Sequence, residues 1–119
     1  MPWKYSQSSG NLSYNGQFVG HGYSGYSYGR NNPDFEHVRD VGPIPRGEYR
    51  MRRVYSAHLR PPVIELIPLC QTAYNRTDFR IHGDNAEANF TASHGCIIMR
   101  KEVRMVVADS ADALLEVVR

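Results

Sequence analysis

A tight turn signal near the amino terminus constrains the fold of this chain more than any other feature. Apolar and polar residues alternate from Leu12 to Val19, and Asn15-Gly16 divides that segment into two halves. Asn-Gly favours a two-residue turn between antiparallel strands, because both residues tolerate the positive φ angles of that turn. The amino-terminal part of the chain is therefore predicted to form an antiparallel sheet.

Several later segments show strand patterns, and loops separate them. Strands are predicted over residues 47–54, 63–69 and 79–82, at the segment around Cys96 and over 113–118, with connecting loops at 55–62 and 71–78. For the last segment, periodicity alone leaves a helix open. Val103, Val106 and Val107 recur at helical spacing, so residues 102–108 are predicted to form a short helix packed on the sheet. The chain is thus expected to be mainly β with one short helix.

A long segment from Gly20 to Gly47 is rich in Gly, Tyr, Ser, Asn and Pro. Such a composition is also found in disordered, low-complexity sequence, but a long loop inside a small domain is usually functional. We therefore interpret this Gly/Tyr-rich loop as one that shapes a substrate site. Tyr23, Tyr26 and Tyr28 are its candidate substrate-binding residues.

Length and charge exclude several classes of protein. The chain has 119 residues and a formal net charge of +2. That length fits a single domain, residues 1–119, and the scattered basic residues argue against nucleic-acid binding. No stretch approaches the ~20 apolar residues that span a bilayer. Residues 1–8 lack the apolar core of a secretory signal, so we expect neither a membrane span nor export by that route.

The residues best suited to catalysis lie between Ile81 and Met99. His82 ends a predicted strand, and Cys96 follows Gly95 in a loop rich in turn-forming residues. A thiol becomes a nucleophile near neutral pH when an imidazole lowers its pKa or takes its proton. The loop is expected to fold His82 back towards Cys96. The pair predicts a cysteine nucleophile with a histidine base.

Neighbouring residues complete the predicted catalytic site. Gly95 permits a tight turn at the nucleophile, and the backbone amides of Gly95 and Cys96 are candidate donors to an oxyanion. Ser93 is expected to hydrogen-bond the loop rather than to act as the nucleophile. His94 is interpreted either as a residue that shapes the loop or lines the pocket, or as a surface histidine.

Zinc binding and disulfide formation are two other roles that histidine and cysteine side chains can have. His82, His94 and Cys96 are zinc ligands by residue type, but their spacing fits neither a paired-cysteine site nor an open site with three ligands. The sequence therefore predicts no metal and no cofactor. Two cysteines do not make a disulfide framework in a chain of this size. Cys70 ends an apolar run and is predicted to be a small buried side chain.

Several motifs together resemble a known family. Residues 81–83 (Ile-His-Gly) and 93–96 (Ser-His-Gly-Cys) resemble the active-site motif of YkuD-type L,D-transpeptidases, cysteine enzymes that remodel peptidoglycan stem peptides. Residues 42–47 (Gly-Pro-Ile-Pro-Arg-Gly) resemble the segment that leads into a core strand of that domain. With residues 22–25 (Gly-Tyr-Ser-Gly) and 31–33 (Asn-Asn-Pro), the chain is most similar to the small YkuD-related toxins that type VI secretion delivers against the peptidoglycan of rival bacteria.

The resemblance implies a YkuD-like curved β-sandwich and a reaction through a thioester. Cys96 would attack the carbonyl between the third, diamino acid residue of a tetrapeptide stem and its terminal D-alanine, with His82 as the base. Release of the acyl group by water would be L,D-carboxypeptidase action, and release by a D-amino acid or a second stem would be L,D-transpeptidase action. A backbone carbonyl such as that of Gly83 would orient His82. The Asp84 side chain is either an alternative orienter or a turn former.

One departure from the broader family affects the substrate contacts. YkuD domains usually carry an arginine two residues after the cysteine, where this chain has Ile98. Contacts that the family makes through that arginine are therefore not carried over to this chain.

The resemblance also implies partners and a place of action. The protein would be made in the cytoplasm, delivered by a carrier of the secretion machine and active in the periplasm of a target bacterium, and a periplasmic immunity protein would protect the producing cell. Two rival classes stay open. One is another cysteine peptidase that shares the requirement for Cys96 and His82, and the other is a noncatalytic cell-wall-binding module that uses the tyrosines.

Overall fold

The computed structural model describes residues 2–69, 73–85 and 92–119. These residues form nine strands and one α-helix: β1 (Trp3–Ser6), β2 (Asn11–Tyr14), β3 (Gln17–His21), β4 (Tyr23–Ser24), β5 (Gly47–Val54), β6 (Val63–Pro68), β7 (Phe79–His82), β8 (Ile97–Ile98), α1 (Lys101–Ala108) and β9 (Leu114–Val118). The prediction of a mainly β chain with one short helix is confirmed. Cys70, which is predicted to be buried, lies outside the described ranges. The first two residues of the predicted loop at 71–78 also lie outside them.

The nine strands form one sheet in the order β3-β2-β1-β9-β5-β6-β7-β8-β4. Its edge strands, β3 and β4, follow each other along the chain with only Gly22 between them. The sheet therefore curls back until it is nearly closed, which is consistent with the predicted curved β-sandwich. A Cβ atom at Gly22 would lie 1.8 Å from the Ile98 carbonyl oxygen, so only glycine fits where the chain passes between the two edges.

The amino-terminal hairpin is confirmed, but the pairing around it is only partly antiparallel. β2 and β3 meet at a turn with φ angles of +49° at Asn15 and +81° at Gly16. β1 pairs antiparallel with β2 and parallel with β9, so the prediction of an antiparallel first sheet is wrong for that second neighbour. β1 itself is absent from the predicted strands, although buried Trp3 and Tyr5 flank exposed Lys4 in the alternation of a strand.

The carboxy-terminal elements match their predictions closely. α1 covers the predicted helix, with Val103 and Val107 buried in the core and Val106 exposed. β9 resolves the last segment as a strand, paired between β1 and β5. A Cβ atom at Gly20 would lie 2.5 Å from Val103 Cγ2, so α1 packs directly against β3. No helix formed by the described residues has the length and apolar character needed to cross a membrane.

The segment from Gly20 to Gly47 is not one continuous loop, which corrects the prediction. It contains the end of β3, all of β4 and two short 3₁₀ helices at Ser27–Gly29 and Pro33–Phe35. The two residues of β4 pair with β8, because Tyr23 lies opposite Ile98. The segment is thus paired with the strand that directly follows Cys96.

A buried carboxylate ties this segment to the sheet. Glu36 forms an ion pair with Arg46 at 2.7 Å and accepts a hydrogen bond from Gln7 Nε2 at 3.0 Å. Burial acts to raise the pKa of Glu36, but the hydrogen bonds and charge of Arg46 outweigh burial and lower the pKa to about 2. Glu36 is therefore an anion throughout the physiological pH range.

Candidate active site

Two neighbouring strands position the predicted nucleophile and base. β7 and β8 run parallel, with Ile81 opposite Ile97 and His82 opposite Ile98. Ile81 and Ile97 are fully buried in the core. His82 ends β7 and Cys96 immediately precedes β8, so the alternation of side chains, continued by one residue, would put both on the opposite face and two positions apart along the strands. This offset corresponds to about 8 Å between their Cα atoms, which an imidazole and a thiol side chain can bridge.

The His82 ring is held in the form that a general base needs. Its Nδ1 lies 2.8 Å from the carbonyl oxygen of Gly83. A carbonyl only accepts, so Nδ1 carries the proton and Nε2 is left as the acceptor. Burial lowers the pKa of His82, and the nearby charges of Arg104 and Arg80 act in the same direction, whereas the Gly83 carbonyl opposes them. The imidazole is therefore neutral near pH 7.

The contacts of Asp84 favour the turn former over the alternative orienter. Asp84 Oδ1 accepts hydrogen bonds from the Tyr23 hydroxyl at 2.9 Å and from the Asn85 N–H at 3.0 Å. The orienting contact on His82 comes from the backbone of Gly83 instead.

The surroundings of Cys96 favour the neutral thiol. The side chain is half-buried, and Sγ lies 3.5 Å from the carbonyl oxygen of Asp78, to which it donates. Burial raises the pKa of the Cys96 thiol, and the Arg80 backbone N–H and guanidinium only partly oppose burial. Of the two ways in which an imidazole can activate a thiol, a lowered thiol pKa and removal of the thiol proton, the raised pKa of Cys96 favours the second. Between these two described residues, His82 and Cys96, there is no direct hydrogen bond in this resting arrangement.

Ser93 holds the turn that precedes Cys96. Its hydroxyl donates to the Cys96 carbonyl at 2.6 Å and accepts from the N–H groups of Gly25 and Gly95 at 2.9 and 3.2 Å. The Gly95 N–H is thus directed at Ser93 and not at a substrate, which corrects its predicted role as an oxyanion donor. Gly95 instead serves the turn, since its φ of +132° lies in a region that other residues rarely adopt.

Tyr23 lies inside the protein, unlike a surface residue that binds substrate. It is 5% exposed, and its hydroxyl joins Asp84 to the N–H of Ala92, from which it accepts at 3.3 Å. Burial raises the pKa of Tyr23 to about 12, with Asp84 adding to the rise. Tyr23 therefore connects the segment after His82 to the segment before Cys96.

The other two tyrosines are more accessible. Tyr26 stacks on His94 with ring centroids 5.1 Å apart, and His94 Nδ1 lies 3.2 Å from the Asp40 carbonyl oxygen. Tyr28 is exposed and meets the Phe35 ring edge-on. Of the three predicted substrate-binding tyrosines, Tyr26 is the one that stacks on a side chain of the Cys96 loop.

Arg76 is a buried residue of this region that the sequence analysis does not identify. It is 5% exposed, and its guanidinium lies over the ring of Phe79. Nη1 donates to the carbonyls of Glu36 and Pro43 at 2.5 and 2.8 Å, and Nη2 donates to those of Gly42 and His94 at 3.0 and 3.4 Å. Arg76 thus fastens the Gly/Tyr-rich segment to the Cys96 loop. No local motif marks an arginine that is recognised only by carbonyls from distant segments.

Two cavities flank the site. One, here called the thiol cavity, has a volume of about 280 Å³ and is lined by Arg76, Asp78, Gly95 and Cys96 among others. The second, here called the cationic cavity, has a volume of about 430 Å³ and is lined by His82, Gly83, Met99 and Arg104 among others. Within the described ranges, no three His, Cys, Asp or Glu side chains gather closely enough to hold a metal ion. The nucleophile and the base thus open into different cavities.

Comparison with known proteins gives one family. The family model of the Tlde1 domain matches residues 19–115, which include β4, β7, β8, α1 and all of the candidate site residues. No curated protein and no solved structure matches the chain.

Proposed function

The chain belongs to the Tlde1 domain family, a family of type VI secretion effectors, and we propose that this effector cleaves or exchanges peptidoglycan stem peptides through a Cys96 thioester. The observation that supports the proposal is the parallel pairing of β7, which ends at His82, with β8, which Cys96 immediately precedes. A neutral imidazole whose Nε2 can accept the proton of a cysteine thiol is what acyl transfer requires of a base.

The proposed reaction starts from a neutral thiol and a neutral imidazole. The Cys96 side chain rotates away from the Asp78 carbonyl, and His82 Nε2 takes the thiol proton as sulfur attacks the carbonyl carbon of the bond to the terminal D-alanine. The tetrahedral intermediate collapses when the protonated His82 returns that proton to the departing amine. A thioester on Cys96 and a free D-amino acid result. Water then releases the stem as a carboxylic acid, or a second amine releases it as a new amide.

Mass spectrometry of muropeptides tests this proposal. Purified sacculi are incubated with the protein, with Cys96→Ala and with Cys70→Ala, which removes the other thiol. We expect loss or exchange of the terminal D-alanine with the unaltered protein and with Cys70→Ala, and none with Cys96→Ala. A cysteine peptidase of another kind would leave sacculi unchanged and cleave proteins. A noncatalytic wall-binding module would bind sacculi equally well after Cys96→Ala.

The proposed place of action is the periplasm of a target cell, where stem peptides lie. We expect the protein to be harmless when it is made in a bacterial cytoplasm and toxic when a secretory signal is fused to it, with the toxicity dependent on Cys96. An effector with this target requires a periplasmic immunity protein in the producing cell. Toxicity of the Cys96→Ala protein in the periplasm would contradict the proposed chemistry.

A further inference from the structure

Arg104 is a buried arginine whose guanidinium has nitrogen atoms without hydrogen-bond partners among the described residues. It lies on α1 and is 5% exposed. Within the described part of the chain, its Nε and Nη1 atoms are buried and have no hydrogen-bond partner. Buried polar groups are almost always paired, because an unpaired donor loses its hydrogen bonds to water without replacement. Two unpaired donors on one side chain therefore indicate a site for an acceptor that the described part of the chain does not supply.

The guanidinium lies directly beside the catalytic base. A Cβ atom at Gly83 would lie 2.6 Å from Nη1 and 3.1 Å from Cζ of Arg104, so the absence of a side chain at Gly83 makes room for this group. Gly83 is also the residue whose carbonyl orients His82. The charge of Arg104 contributes to the lowered pKa of His82, which agrees with this proximity.

The charge around Arg104 suits an anion. The cationic cavity is also lined by His58, Arg60, Arg100 and Lys101, all of them exposed. Asp84 is the one acidic residue among the lining residues that the structure describes, and its Oδ1 already accepts from Tyr23 and Asn85. A guanidinium presents its N–H groups as a planar fork that matches the two oxygens of a carboxylate.

The proposed reaction places a carboxylate at this position. His82 returns its proton to the departing amine, so the departing amino acid must lie on the His82 side of the scissile bond. The free carboxylate of a terminal amino acid is separated from its amine nitrogen by a single carbon atom. It must therefore lie close to His82, where the cationic cavity opens.

We propose that Arg104 binds the free terminal carboxylate of the stem peptide, so that the cationic cavity holds the departing D-amino acid and selects for substrates that end at the scissile residue. The inference rests on the proposed function, because it uses the direction in which the substrate lies across Cys96 and His82. An amine acceptor in the exchange reaction would bind by the same carboxylate, since it enters where the D-amino acid leaves.

Calorimetric titration of the Cys96→Ala protein tests the inference without turnover. The probes are a tetrapeptide stem with a free carboxyl terminus and the same peptide as its terminal amide, each made with diaminopimelate or with lysine at the third position. We expect the free carboxylate to bind about tenfold to a hundredfold more tightly than the amide, as befits a hydrogen-bonded charge pair. Adding Arg104→Met should reduce that preference to less than about threefold and leave binding of the amide unchanged.

Matched variants and the four peptides separate the outcomes. Arg53→Met makes the same substitution at an exposed arginine that pairs with Asp109, and it should keep the full preference. Arg104→Lys should keep part of it. A preference that survives Arg104→Met, or that follows the side-chain carboxylate of diaminopimelate instead of the terminal group, would overturn the inference alone. Failure of every peptide to bind would overturn the proposed substrate as well.

Discussion

Arg76 and Arg104 are both 5% exposed, and burial lowers the pKa of each, yet their surroundings differ. Arg76 donates to four backbone carbonyls beside the thiol cavity. Arg104 leaves Nε and Nη1 without partners beside the cationic cavity, within the described part of the chain. The hydrogen bonds of Arg76 are therefore already made in the free protein, whereas Arg104 has donors that a ligand can satisfy.

The two arginines are therefore expected to contribute differently to the stability of the fold and to ligand binding. A guanidinium that satisfies several carbonyls stabilises the fold, because its loss leaves those acceptors buried without donors. An unpaired guanidinium destabilises the free protein and stabilises a complex. Residues kept for function often lower stability in this way. The comparison therefore predicts opposite effects for the same substitution in the two regions.

The largest expected effect concerns the two residues that join the regions. His82 lines the cationic cavity and Cys96 lines the thiol cavity, so the proposed mechanism requires that residues of both cavities act together. We expect His82→Ala to lower kcat by about 10²- to 10⁴-fold and Cys96→Ala to abolish turnover. In a steady-state assay of D-alanine release, the double variant should be no worse than Cys96→Ala, because members of one catalytic unit are not additive. Undiminished activity of the His82→Ala protein would show that another group is the base.

The next effect tests the comparison directly by changing each arginine to methionine. Arg76→Met should lower the free energy of unfolding by about 3 kcal/mol, since it leaves several buried carbonyls without donors. Arg104→Met should change it by less than about 1 kcal/mol, or raise it, since it removes donors that already lack partners. Urea denaturation with unchanged m values measures both. Equal losses would mean that Arg104 is structural, like Arg76.

The features that the sequence predicts correctly are those that depend on interactions between residues close together in the chain. The hairpin at Asn15-Gly16 and the helix around Val103 depend on near neighbours and were predictable. The parallel pairing of β1 with β9 joins opposite ends of the chain, and no local pattern carries that information. The same limit applies to Tyr23, since its burial depends on the β4 to β8 pairing.

The candidate site divides along the same line. Residue type and motif suffice to propose His82 and Cys96, but not their protonation. The pKa of His82 depends on burial and on the charges of Arg104 and Arg80, and the pKa of Cys96 depends on burial and on Arg80. The fold decides where these groups lie. The competition of Ser93 for the Gly95 N–H likewise appears only once both groups have coordinates. The two buried arginines belong to no motif, because carbonyls from distant segments recognise Arg76, and Nε and Nη1 of Arg104 have no hydrogen-bond partner among the described residues.

A third effect sharpens the description of the Arg76 region through its neighbour Glu36. The folded-state pKa of Glu36 is about 2, below its ordinary value of 4.5, so its contribution is present above pH 4.5 and is lost as the pH falls towards 2. Because its partner Arg46 is half exposed, we expect Glu36→Gln to cost on the order of 2 kcal/mol at pH 7 and less at pH 3. Urea denaturation across that range measures the change. Glu65→Gln, which breaks the more exposed pair with Arg52, should cost less than about 1 kcal/mol, and an equal loss would contradict the role of Glu36.

The smallest effects come from the two glycines that lie against the two arginines. A Cβ atom at Gly95 would lie 2.4 Å from Arg76 Nη2, and one at Gly83 would lie 2.6 Å from Arg104 Nη1. Arg76 cannot shift without breaking its hydrogen bonds to carbonyls, and Gly95 has a φ of +132°, so Gly95→Ala should cost more than about 1 kcal/mol of unfolding free energy.

Arg104 makes no such hydrogen bonds to the described residues and can shift, so Gly83→Ala should cost less unfolding free energy than Gly95→Ala. Its effect should instead be a rise of a few-fold in KM for peptides with a free carboxyl terminus, since the displaced guanidinium meets that group less well. Thermal denaturation and steady-state kinetics of the two variants measure both quantities, and a Gly83→Ala protein that loses stability without a change in KM would remove the distinction between the two regions.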